Sequence, residues 1–163
     1  MRVPNQVHEA RPWRVHAFTR GHRLEDVWAL PAQGGKGDFE VLVDLVTSAN
    51  LAGSGSRPVR FLWDLRKRLG RLLRLDDQPF VPLYRTDDEY ASETRNRTVH
   101  GILHLGWVDD GGGRYHGELA VYVRPRGLFG QGYMALIRPF RHRVVYPALM
   151  RQLERTWRSR APR

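Results

Sequence analysis

The chain has no cysteine, which rules out a disulfide framework, a thiolate nucleophile and every thiolate-based metal site. Lysine is nearly absent as well. Lys36 and Lys67 are the only two, so the net charge of +10 is carried almost wholly by arginine. Long apolar runs are missing too. No window approaches the roughly 18 consecutive apolar residues of a membrane span, and the first residues lack the apolar core of a secretory signal. These absences give the expectation of a cytoplasmic protein with no membrane span. No Gly-x-Ser-x-Gly elbow occurs, so a serine hydrolase of that type is excluded along with a cysteine hydrolase.

What is present fits a folded domain. A chain of 163 residues with 41% hydrophobic content is long enough to bury a core without covalent staples. We expect an N-terminal arm over residues 1–10 and a single domain over 11–160. The arginines are scattered rather than clustered, so the charge reads as solvated faces and not as a specific nucleic-acid surface. Gly34, Gly35 and Gly37 around Lys36 are loosely like a phosphate loop, but no Ser or Thr follows the lysine and the spacing departs from that motif.

Residues 98–157 carry the clearest pattern. Val99, Leu103, Leu105 and Trp107 alternate with His100, His104 and Gly106, as in a half-buried strand. Residues 109–113, two aspartates and three glycines, have loop chemistry. Alternation resumes through Tyr115, Leu119, Val121 and Val123, and a third strand is expected over 128–137. Pro139 then opens a helix in which Phe140, Val144, Leu149, Leu153 and Trp157 recur at helical spacing, with Pro147 inside it as a source of bending. Arg151 and Arg155 occupy its outer side. Upstream, residues 13–18 suggest a short strand and 24–30 a short helix stopped by Pro31. Asp38 caps a helix striped by Phe39, Leu42, Val43 and Val46, and a second helix is expected over 58–74. Residues 80–85 and 89–94 read as strands.

Three segments resemble a family. RLEDVWALP (23–31), HGILHLGW (100–107) and ALIRPFRHRVVYP (135–147) are similar to an uncharacterised bacterial family of domains of unknown function that looks START-like. That grouping also holds polyketide cyclases and birch-pollen-allergen-like proteins. The resemblance implies an α+β helix-grip fold: a curved antiparallel β-sheet wrapped around a long C-terminal α-helix, with helices inserted after the first strand. It also implies a pocket for a small hydrophobic or amphipathic ligand. It transfers no catalytic residues and no cofactor, and fold alone does not fix function.

Candidate site residues follow from the pairing of the last strands. A five-residue loop closing symmetrically would set Val108 opposite Arg114, His104 opposite Glu118, Gly106 opposite His116 and His100 opposite Tyr122. This row reads as a solvated outer face. His104 and Glu118 are its catalytic candidates, a base and its orienter in a cyclase-like or lyase-like reaction. His100 and His104 lie about 13 Å apart along one strand, too far to share an ion. A cross-strand pair of His104 and His116 lacks a third ligand, so no metal is expected. Trp107, Tyr133, Met134, Phe140, Val144 and Trp157 are the pocket candidates, between sheet and C-terminal helix. A basic interaction module for an anionic partner is a further alternative.

Overall fold

The computed structural model describes residues 1–47, 80–95, 99–127, 132, 143 and 146–160. The expected helix over 58–74, the strand over 128–137 and the pocket candidates Tyr133, Met134, Phe140 and Val144 lie outside the described residues. The architecture is α+β. Strands β1 (Arg23–Gly34), β2 (Val81–Arg85), β3 (Glu89–Arg95), β4 (Val99–Gly111) and β5 (Arg114–Pro125) form one antiparallel sheet in the order β1-β5-β4-β3-β2. Helix α1 (Asn5–Glu9) precedes the sheet, α2 (Phe39–Thr47) follows β1, and α3 (Tyr146–Arg160) follows β5. Among the described residues no helix is long and apolar enough to cross a membrane.

Two of the expected elements are replaced by others. Residues 24–30 are not helical but lie within β1, where the sheet is covered on both faces and simple alternation is lost. Irregularities between Leu24 and Asp26 and between Ala29 and Gln33 reset the alternation. They bring Leu24 and Val27 to one face and Leu30 and Ala32 to the other, and that spacing of three imitates a helix. Residues 13–18 form no strand. Arg14–Ala17 make a 3-10 turn that puts Val15, fully buried, against Leu24, Val27 and Ile102.

The β4–β5 hairpin closes more tightly than a five-residue loop. Gly112 and Gly113 have φ of 64° and 76°, the left-handed pair that a two-residue hairpin turn requires and that glycine adopts without strain. Gly111 therefore pairs with Arg114, and a bulge at Asp110 brings Asp109 opposite Tyr115. Every expected pairing is displaced by two. His104 faces Ala120, Gly106 faces Glu118, Val108 faces His116 and His100 faces Arg124. A shift of two leaves each side chain on its expected face, so the faces survive while the partners change.

One face is an apolar core. Leu105, Trp107 and Leu119 meet Phe39, Leu42, Val43 and Leu45 of α2 and Leu153 and Trp157 of α3. Two indoles also tie backbone to this layer: Trp107 Nε1 donates to the Gly35 carbonyl at 3.0 Å and Trp157 Nε1 to the Gln33 carbonyl at 3.1 Å. Gly117 has no side chain because Leu42 occupies its place, and a Cβ there would sit 2.7 Å from Leu42 Cδ2. Pro147 is the second described residue of α3. The bend expected at Pro147 concerns the chain before Tyr146, outside the described residues.

The opposite face is not solvated. Residues 1–18, of which only 1–10 were expected as an arm, lie across it. The first residues run beside β1, with Val3 N donating to the Val27 carbonyl at 2.9 Å and Ala29 N to the Met1 carbonyl at 2.8 Å. Asn5 Nδ2 donates to the Leu24 carbonyl at 2.9 Å. Helix α1 and the 3-10 turn then cover β4 and β5. Trp13 lies where Gly106 leaves room, since a Cβ at Gly106 would meet the Trp13 ring at 3.0 Å and His104 Cε1 at 3.2 Å.

Candidate functional site

Beneath the N-terminal segment lies a set of buried polar side chains. His8, His104 and Glu118 are fully buried and Glu89 is 6% exposed. Burying charge requires pairing, and each carboxylate has it. Glu118 accepts a short hydrogen bond from His8 Nδ1 through Oε1 and one from Arg11 Nη1 at 2.6 Å through Oε2. Glu89 is bonded to His104 Nε2 at 3.1 Å and accepts the Tyr84 hydroxyl at 2.8 Å and the Arg14 backbone N–H at 3.0 Å.

These bonds fix the ionisation. For Glu89, burial works to raise the carboxyl, but the His104, Arg14 and Tyr84 hydrogen bonds outweigh it and hold the group down at about 2. Glu118 is also held below the usual carboxylate range, burial being outweighed by His8 and Arg11. His104 is held below the usual histidine range, by burial first, despite its bond to Glu89. Tyr84 and Tyr122 are pushed up, each chiefly by burial. At neutral pH the set is thus two carboxylates, a neutral His104 and the Arg11 guanidinium. An ionised carboxylate only accepts, so His104 carries its proton on Nε2 and His8 donates through Nδ1.

The remaining ring nitrogens, His104 Nδ1 and His8 Nε2, are buried without a hydrogen-bond partner. The two rings face each other at 5.3 Å between centroids, and Trp13 lies 5.3 Å from His104. His104 and Glu118, the expected acid–base pair, are therefore divided between two different partners. Among the described residues no group of three or more His, Asp or Glu is arranged to hold a metal ion. His100 is bonded instead to Glu93 at 2.9 Å and to His22 at 3.1 Å, and His116 to Asp110 at 2.8 Å.

Next to this set, at the end of the sheet, a cleft of about 560 Å³ opens among Arg11, Trp13, Lys36, Asp87, Asp88, Trp107, Val108, Asp109 and Tyr115. That volume lies within the range of small-molecule sites. Trp107 and Tyr115 have nearly parallel rings, 5° apart in plane at 6.3 Å. Arg11 belongs to both regions, reaching inward to Glu118 while its guanidinium carbon lies 6.0 Å from the Trp13 ring. Of the expected pocket residues, Trp107 lines this cleft, and Trp157 packs beside Trp107 at 6.0 Å in the apolar core. A second cleft of about 430 Å³ lies between β1 and α3, lined in part by Leu30, Gln33, Met150 and Glu154.

Sequence reasoning missed His8, Arg11, Trp13 and Glu89. His8 and Arg11 are single residues in a segment without periodicity, and Trp13 begins the stretch expected as a strand. One signal was present: the supposed solvent face also carries Ile102, Ala120 and Tyr122, which is too much apolar surface to leave in water.

The model of a family described as proteins of unknown function, DUF2867, matches residues 18–148. The chain belongs to this family. No curated protein and no solved structure matches the chain. The family match takes in Glu89, His104 and Glu118 and leaves out His8, Arg11 and Trp13, so the sheet side of the buried set lies within it and the cover lies before it.

Proposed function

We propose that this chain is a START-like, helix-grip binding protein, and that its ligand is a small amphipathic molecule with a flat apolar ring and a positively charged end. The chain path supports the fold assignment. Strand β1 is followed by helix, the meander returns its last described strand β5 beside β1, and α3 lies over the face they share. The lining of the 560 Å³ cleft carries the ligand assignment. Trp13, Trp107 and Tyr115 offer aromatic surface, which suits both a flat ring and a cation. Asp87, Asp88 and Asp109 offer three carboxylates against Lys36, because the charge of Arg11 is already met by Glu118. Binding without chemistry fits this cleft better than catalysis, since His104 and Glu118 lie behind Trp13 with no exposure.

Calorimetry with tryptamine and phenethylammonium, against indole and indole-3-carboxylate, tests the assignment. The two cations should bind saturably, the neutral and anionic analogues less tightly, and Asp87→Asn and Asp109→Asn should weaken the cations. Equal affinity for all four compounds, or none for any, would overturn it.

A further inference from the structure

The N-terminal segment is held by backbone bonds beside β1, by Val15 and Trp13 packed on the sheet, and by polar side chains that converge on one carboxylate. His8 and Arg11 both bond Glu118, while Arg14 touches Glu89 through its backbone. Helix α1 has five residues, too short to be stable by itself. We propose that residues 1–18 form a lid that acid lifts from the sheet, and that lifting it removes Arg11 and Trp13 from the cleft wall and releases the bound molecule. The release rests on the cleft reading above; the lifting does not.

The geometry of the two histidines is the reason. With Glu89 on His104 Nε2, an additional proton on that ring must go to Nδ1, which is buried with no acceptor. The new cation would be dry and 5.3 Å from the other imidazole, where burial is expensive. The groups facing His104 come from every element around it: Glu89 from β3, Tyr84 from β2, Glu118 and Tyr122 from β5, and His8, Arg11 and His16 from the segment itself. The two carboxylates favour a charged ring, but burial prevails, and His104 stays below its ordinary value of 6.5. Lifting the lid wets the ring and restores that value. Between the lowered value and 6.5 the open form therefore binds more protons than the closed form, and closure weakens as pH falls. Glu118 remains charged over this interval, so the opening is driven by the histidine and opposed by the latch.

Because the chain has no cysteine, Gln6→Cys gives a single attachment point for a nitroxide on the exposed side of α1. Label mobility should rise as pH is lowered from 8 to 5 while far-ultraviolet circular dichroism stays constant. His104→Gln, whose amide can still donate to Glu89 but does not titrate, should shift the rise to lower pH. Should His104→Gln fail to fold, Arg11→Ala, at a partly exposed residue, should shift the rise to higher pH. A label that stays immobile until the whole chain unfolds, or that responds alike in the labelled parent and in these variants, would overturn the lid. Tryptamine affinity should fall over the same interval as the label loosens. A lid that lifts without changing that affinity overturns the release. If tryptamine does not bind at any pH while the label still loosens, the lid stands and the cleft reading fails.

Discussion

Leu105 and His104 are neighbours in one strand, equally buried, and buried in opposite ways. Leu105 faces α2 and α3 across a layer of aliphatic and aromatic side chains. Its contribution carries no titrating group and so does not change with pH, since burial is favourable roughly in proportion to the apolar area removed from water. His104 faces a segment that brings the Arg11 guanidinium and the His8 imidazole to the buried Glu118. There the desolvation of charge nearly offsets the attraction between charges, and what remains depends on protonation. The two faces teach that burial and stability are separate matters: one cover is held by area, the other by area and by a set of ionisation states.

The largest expected effect lies on the apolar face. Trp157→Ala should lower stability by about 3–5 kcal/mol and Leu153→Ala by about 2–5 kcal/mol, the ranges for emptying a core site. Both are read as shifts in urea midpoint, and both should be nearly constant from pH 5 to 8. A strongly pH-dependent loss would break the comparison.

Glu118→Gln should act next, by about 1–3 kcal/mol at pH 7, because His8 and Arg11 are left with a weaker acceptor. Here the loss must shrink in acid. Glu118 is held below the carboxylate range in the folded chain, so its contribution is complete above its unfolded value of about 4.5 and disappears as pH falls toward the folded one. A Glu118→Gln effect equal at pH 7 and pH 3 would show that the carboxylate's charge is not what matters.

The unaltered chain should itself show two acid limbs. His104, lowered in the folded state by burial, leaves the unfolded chain with the greater proton affinity below 6.5, so stability begins to fall there. Glu89, held at about 2 against an ordinary 4.5, adds a second decline between those values. His104→Gln should shrink the first limb, which His22 shares, and Glu89→Gln the second, which Glu118 shares. Urea midpoints from pH 8 to 3 separate them, and a flat profile down to pH 4 would remove His104 from the account.

The smallest effects belong to the outer side of α3. Arg151→Ala and Arg155→Ala change exposed residues and should stay within about 0.5 kcal/mol. Effects there as large as that of Leu153→Ala would mean that α3 is not held by its inward stripe.

How much of this was legible follows from the same contrast. The apolar face announced itself by period: Leu105, Trp107 and Leu119 alternate along strands, Phe39, Leu42 and Val43 recur along α2, and Leu153 and Trp157 along α3. Strands β4 and β5 were found for that reason. Strand β1 was not, because two irregularities give Leu24, Val27 and Leu30 the spacing of a helix. The partner of His104 was misread because register depends on how the hairpin closes, and a bulge at Asp110 is invisible to a count of loop residues. The cover of the polar face is written in isolated residues, and isolated residues have no period to detect. The α+β class was thus readable, while the set under the lid needed three dimensions.

Gly106 and Gly117 stand on adjacent strands and face opposite ways, one under Trp13 and the other under Leu42. Together they make a thin place in the sheet, a dimple on each side into which a foreign element settles. Each is a separate address. An alanine at position 106 would press on the indole and on His104, on the side away from the helical layer, and an alanine at 117 would push on Leu42 of α2 and on Leu30, on the side away from the N-terminal segment. The fold therefore offers two single-atom handles, one set against each of its two coverings.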